Sequence, residues 1–342
     1  MSATVYARAA LGWMRNHWRE DMVYAISDER VRPATETEHA DQPIYELDAA
    51  VLPPLTDAHA HLGLARLPDS GPGSVARVLD LGGAPRVVAT LAADAREAAC
   101  ATELHFVGAF LTAPGGYPSD RSWAPASASI PLATPDEAVA AVRGQHAVGA
   151  KAIKVTANSM AGPVLSDALL QTIADETHRR GLRLIAHAEG EGQAERAHRH
   201  GVDVFAHTPW THRLDDDTVQ QMAANMTWIS TLGMHSRGGA EHDLTVALDN
   251  LTRFVQHGGT VVYGTDAGNG LDTVMIHQPE LDALTDAGVS PADLVHALTA
   301  PSLLPRWGAT VSLAPSDLSD HNAAWLAHTT PVHASHLKER LR

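Results

Sequence analysis

The sequence holds a single cysteine, Cys100. Neither a disulfide framework nor a thiolate zinc site can be assembled within one such chain, so any metal must be held by histidines and carboxylates. Basic residues are also scarce. The 25 Lys and Arg stand against 40 Asp and Glu, a formal charge of −15 that opposes binding to nucleic acid or to an anionic membrane surface. That balance favours a small-molecule substrate and leaves a homo-oligomer open. No segment approaches the roughly 20 apolar residues of a membrane helix. The N-terminus lacks the basic start, the apolar run of about 7–15 residues and the small-residue cleavage site of a secretory leader, so the expected location is cytoplasmic. Low-complexity tracts are absent.

What the chain does have is 342 residues, 44% of them hydrophobic, and 21 dispersed histidines. From about residue 51 short β-rich runs alternate with helical patterns, the signature of repeated βα units around a parallel sheet. Eight strands are predicted: Leu52–Asp57, Arg86–Leu91, His105–Leu111, Ala152–Ala157, Arg183–His187, Asp203–His207, Thr227–Leu232 and Thr260–Thr265. Residues 51–305 then match the length of a (β/α)8 TIM barrel, typically about 250 residues. A doubly wound open sheet is the alternative, but no glycine-rich phosphate loop opens its first helix. Residues 1–50 and 306–342 are expected to form a small, discontinuous, β-rich accessory subdomain, complete or not.

The strongest local signal is Thr56-Asp57-Ala58-His59-Ala60-His61. Residues two apart on an extended chain point the same way, so His59 and His61 can direct both imidazoles at one metal. The C-terminal ends of barrel strands are where such enzymes keep their chemistry. Lys154 sits in the apolar run Ala152-Ile153-Lys154-Val155, where a charge is costly unless neutralised or bound. His187, His207 and Asp266 end or follow later strands in the same way. Singly, each reads more readily as a satisfied buried polar group. Together they define a candidate metal site.

This order resembles the amidohydrolase superfamily: His-x-His on strand one, Lys on strand four, His on strands five and six, Asp on strand eight. Within it the chain is most similar to the imidazolonepropionase-like and prolidase-like (Xaa-Arg dipeptidase-like) group, over roughly residues 45–305. Supporting runs are Gly149-Ala150-Lys151-Ala152-Ile153-Lys154, Gly181 through Ala188, Gly201 through His207 and Gly264-Thr265-Asp266-Ala267. The resemblance implies one or two divalent ions, Zn2+ first among them. His59 and His61 would bind the buried ion, His187 and His207 the outer one, and Lys154, N6-carboxylated, would bridge both. Asp266 would be ligand and proton shuttle. Two stretches depart from the pattern. The run Ser312–Asp320 matches the usual closing strand only loosely, and Thr156-Ala157-Asn158-Ser159-Met160 replaces the glycines that follow the lysine.

The implied chemistry is hydrolysis of a C–N bond in an amide, dipeptide, N-acyl amino acid or cyclic amide. A bound divalent ion lowers the pKa of water from 15.7 to about 7 and polarises a carbonyl. Asp266 would take the water's proton and pass it to the leaving nitrogen. Lactone or ester hydrolysis and deamination are the competitors. Deaminases of the superfamily place Glu three residues after the strand-five histidine, and here that position is Gly190. A catalytically inactive barrel acting as a binding protein is the reading from another class. Substrate contacts are expected from loops at the C-terminal face: Tyr117, Trp123, Trp210, His212, His235 and Glu189, with His212 or His235 as a donor to the developing oxyanion. No arginine cluster lies near these loops.

Overall fold

The computed structural model describes residues 4–67, 70–316 and 323–342. Eight parallel strands form the barrel: Thr56–Ala60, Arg77–Asp80, Glu103–Phe106 continued by Phe110–Thr112, Ala152–Asn158, Arg183–Glu189, Val204–Phe205, Thr227–Ile229 and Thr260–Val262. The third strand breaks at Val107-Gly108-Ala109. Gln145 splints the break, its Nε2 donating to Ala109 O at 2.7 Å and its Oε1 accepting from Ala109 N at 3.2 Å. Gly108 has φ +82° there, and a Cβ on it would lie 2.1 Å from Gln145 Oε1, so no other residue fits. The barrel closes between its last and first strands through Ala58 N to Tyr263 O (3.0 Å) and Asp266 N to His59 O (2.8 Å).

Ala58, Leu79, Val107, Ala152, Ile185, Val204, Ile229 and Val262 belong to one fully buried cluster, each from a different strand or its immediate continuation. This is the filled interior of a barrel rather than one face of an open sheet. Side chains alternate along a strand, so Lys154 follows Ala152 inward and His187 follows Ile185. The next inward position toward the C-terminal end is thus polar on both strands. Outside, helix Asp167–Arg179 is capped by Ser166, whose Oγ accepts from Leu169 N at 3.3 Å, and buries Leu170 and Ile173 against the sheet. Trp228 of strand seven stacks on Phe254 of helix Glu241–Gln256 at 3.9 Å and 7°.

Two expected strands are corrected. Arg86–Leu91 is helical, inside Pro85–Glu97, because Pro85 supplies a preset first turn and the one buried residue, Val88, packs on Phe106 and Ala150. The true second strand, Arg77–Asp80, hides its signal behind two charges. Both are buried: Arg77 reaches Glu103 (Nε to Oε2, 3.0 Å) and Pro305 O (2.7 Å), and Asp80 accepts from Leu62 N (2.7 Å) and Gly82 N (3.0 Å). The expected Leu52–Asp57 divides at Pro53-Pro54. Leu52 ends a strand of another sheet and Thr56 begins the barrel.

That other sheet has six strands, ordered Thr330–His333, Thr310–Ala314, Ile44–Leu52, Val5–Met14, His17–Ile26, Val31–Pro33. Both terminal segments supply it. Arg15 and Asn16, with φ of 49° and 67°, make the two-residue hairpin that pairs Met14 with His17. Of the loosely matching run Ser312–Asp320, residues 312–314 pair with Ile44–Leu52, and residues 317–320 lie outside the described residues. Among the described residues no helix is long and apolar enough to cross a membrane.

Candidate metal centre

His59, His61, Lys154, His187, His207 and Asp266 all line one cavity of about 320 Å3 at the C-terminal end of the barrel. Three converge tightly. One ligand atom each from His59, His61 and Asp266 lies within 4.8 Å of the others. The Nε2 atoms of His59 and His61 stand 3.3 and 3.4 Å from Asp266 Oδ1. The His207 ring is 4.5 Å from that of His59, and the His187 ring 5.1 Å from that of His207.

The histidines are oriented from behind. His59 Nδ1 is 2.7 Å from Ala206 O and His61 Nδ1 is 3.1 Å from Gly82 O. A carbonyl can only accept, so each Nδ1 carries the proton and each Nε2 presents a lone pair to the cavity. His207 Nδ1 is likewise engaged by Thr231 Oγ1 at 2.9 Å. His59 Nε2 is the telling atom. It is buried and has no hydrogen-bond partner, which a native structure tolerates where something else binds it. The donor set, two imidazole nitrogens and a carboxylate oxygen, suits a divalent ion such as zinc.

Backbone strain marks the same place. Asp266 has φ 55° and Thr231 φ 47°, left-handed conformations that non-glycine residues avoid and β-branched ones most of all. Asp266 is held by Asn269, which donates from Nδ2 to Oδ2 at 2.9 Å. Strands one and eight are joined beneath it by Asp57, which accepts from His59 N and Thr265 N at 3.0 Å each and from Thr265 Oγ1.

Burial and charge tune these groups. Burial pushes the Lys154 ammonium down to about 7, against the pull of Asp266 and Asp80. A large share of a buried lysine is then neutral amine near pH 7. For Asp266, burial works upward, but His59, His61 and His207 outweigh it and hold the carboxyl well below the usual range. Burial pushes His59 well down, with Lys154 adding to the effect.

The expected substrate contacts divide. Tyr117, Trp123, Trp210 and Glu189 line the cavity. Tyr117 stacks on His187 at 5.0 Å and 26°, and Trp210 stands edge-on to His187 and His207. Glu189 Oε2 lies 3.1 Å from His187 Nε2 and accepts from Asn158 Nδ2 at 2.6 Å. His235 is buried behind Trp210, 5.4 Å ring to ring, and is absent from the cavity lining. His212 is absent too, its Nε2 being 2.8 Å from Glu195 Oε1 because the loop after strand six turns it toward helix Gln193–Arg199. Sequence reasoning missed Asp57, Asp80, Asn158, Thr231 and Asn269. For Asp57, Asn158 and Asn269 a polar residue on the same strand or turn as a candidate ligand was the available signal, whereas Asp80 and Thr231 stand on or just after strands that carry none.

No protein-family model matches the sequence, and no curated protein matches it significantly. Solved structures do match. A Xaa-Pro dipeptidase with bound methionine superposes with a TM-score of 0.75 at 15% identity, over 97% of this chain and 99% of that one. The ochratoxinase of A. niger gives 0.74 at 18%, over 95% and 93%. Phenylurea hydrolase B gives 0.74 at 13%, over 97% and 96%. The chain shares their fold. Barrel and terminal sheet together are covered, so the likeness extends across both parts.

Proposed function

We propose that the protein is a metal-dependent hydrolase that cuts a C–N bond. The observation that carries the reading is the buried, partnerless His59 Nε2 facing Asp266 beside His61, whose Nε2 faces the same carboxylate oxygen. Proteins sharing the fold are named for cutting a dipeptide and a phenylurea, which agrees with it. His59, His61 and Asp266 would hold one divalent ion, Zn2+ by its donor set, and His187 and His207 would serve a second. When bound, the metal supplies Lewis acidity toward the scissile carbonyl and makes a water acidic enough to attack at neutral pH.

The remaining work falls to the chain's own side chains. Lys154, as a neutral amine, can add CO2 through a new N–C bond and release one N–H proton to solvent, becoming a carbamate, an anionic oxygen donor in place of a buried cation. Asp266 Oδ1 accepts the proton of the attacking water and returns it to the departing nitrogen. Asn269 holds the other oxygen, so the carboxylate keeps its aim during both transfers. Tyr117 and Trp210 wall the histidines and exclude bulk water from them. Ester or lactone hydrolysis would use the same groups. The test is a hydrolysis screen of the zinc- or manganese-loaded protein over dipeptides, N-acyl amino acids, cyclic imides, aryl amides and lactones. Turnover of a C–N substrate that Asp266→Asn lowers by about 10²-fold or more is expected. Cleavage of lactones alone, or of nothing, would contradict the reading.

A further inference from the structure

Resting on that hydrolase reading, we infer that the site takes uncharged amides carrying an aromatic ring, and discriminates against substrates with a free carboxylate such as dipeptides and N-acyl amino acids. The walls are apolar and aromatic. Phe110, Tyr117, Trp123 and Trp210 surround the deep end, with Met234 and Leu64 beside them. At about 320 Å3 the cavity is at the small end for ligand sites, enough for one ring and its amide.

The charges decide the class. Among the described residues, the charged groups lining the cavity are Lys154, Asp266 and Glu189. Lys154 and Asp266 belong to the buried chemical end, where the scissile bond must lie. A carboxylate elsewhere on the substrate would have to find its partner along the walls, and among the described residues the one charged side chain there is an acid, Glu189. Two arginines come near, and neither lines the cavity. Arg121 sits 5.7 Å from the Tyr117 ring centroid and 3.3 Å from Asp120. Arg237 donates to Thr265 O at 2.7 Å and to Asn269 O at 3.3 Å, and its Nη1, which has no hydrogen-bond partner, packs against Gly233. A carboxylate bound here would be desolvated beside a like charge with no cation to meet it, whereas an aromatic ring gains offset and edge contacts on several sides.

The test uses pairs that differ only in the carboxylate: N-acetylphenethylamine against N-acetylphenylalanine, and N-methylbenzamide against N-benzoylglycine. On the metal-loaded protein, kcat/KM should favour the uncharged member of each pair by about 100-fold, through KM as well as kcat. Leu64→Arg places a cation at an exposed position on the cavity rim (Leu64 is 42% exposed). It should narrow each ratio by about tenfold, by raising the carboxylate member. Equal or reversed preferences in the wild type would overturn the inference and leave the hydrolase reading standing. If nothing in the set is hydrolysed, the wider hydrolysis screen decides the hydrolase reading, and saturation-transfer NMR decides the cavity. Benzyl alcohol bound in preference to benzenesulfonate supports the inference, and the reverse overturns it.

Discussion

Replacing Asp57 separates the frame of the site from its chemistry. Its carboxylate is fully buried and accepts from His59 N, Thr265 N and Thr265 Oγ1, tying the first strand to the turn before Asp266. Asp57→Ala leaves three buried donors without acceptors, at about 1–3 kcal/mol each before relaxation, so a loss of about 3–6 kcal/mol is expected. With about 2.1 cal/mol/K of unfolding entropy per residue, a chain of 342 residues loses about 4–8 °C of Tm. Asp57→Asn behaves differently. Both backbone donors point at Oδ1, which asparagine keeps, and the Thr265 hydroxyl can turn to accept from the new amide, so about 1 kcal/mol is lost. The pH dependence is signed. Burial pushes the Asp57 carboxyl up from 3.8 to about 7, hydrogen bonds notwithstanding. An acid whose folded pKa is raised contributes fully below its unfolded pKa and loses that contribution as pH rises through the folded one. The gap between wild type and Asp57→Asn should therefore narrow from pH 5 to pH 8. Thermal unfolding of the three proteins at both pH values reads all of this. An alanine variant within about 1 °C of wild type, or an asparagine variant as damaged as the alanine one, would refute the clamp.

Three further outcomes are expected. Burial disfavours the Glu103 carboxylate, but His105, Arg77 and Thr310 N outweigh that and hold it at about 2. Its contribution is present above pH 4.5 and lost toward pH 2. Because burial also costs Arg77, Glu103→Gln should remove about 1–2 kcal/mol of stability at pH 7 and flatten the acid limb of an unfolding titration. Asp266→Asn should keep the fold and much of the metal while kcat falls by about 10²–10⁴ and KM moves far less. Wild-type turnover by the folded fraction would remove its shuttle role. Lys154→Ala should lower metal content toward one ion and depress turnover, with partial rescue by short carboxylic acids. Two retained metals with near-normal rates would rule out a bridging carbamate.

The candidate ligand positions were legible because each lies in or just after a strand whose apolar run is visible in the sequence. Lys154 showed as a charge inside Ala152–Val155, and His59 and His61 as an alternating pair. The second strand was not legible, since Arg77 and Asp80 look like surface residues until Glu103, 26 positions on, and the turn around Leu62 supply their partners. Val87 and Val88 drew the strand to the wrong place through intrinsic preference alone, which tertiary packing overrode. Asp57 stood in plain view two residues before His59, yet its role depends on Thr265, 208 residues away. His212 failed for the opposite reason. Its loop was identified, but the direction of a loop side chain is set by a neighbour, Glu195, that no local pattern reveals.

The central claim is that the buried imidazoles of His59 and His61, with Asp266, hold a divalent ion on which activity depends. Elemental analysis of the purified protein, before and after exhaustive chelation and again after zinc is returned, tests it most directly. The account predicts about one or two equivalents of tightly bound metal, loss of metal and hydrolysis together on chelation, and recovery of both on reloading. His59→Ala should lower the retained metal in the same measurement. Less than about half an equivalent of metal in the purified protein, with hydrolysis unchanged by the chelator, would contradict it.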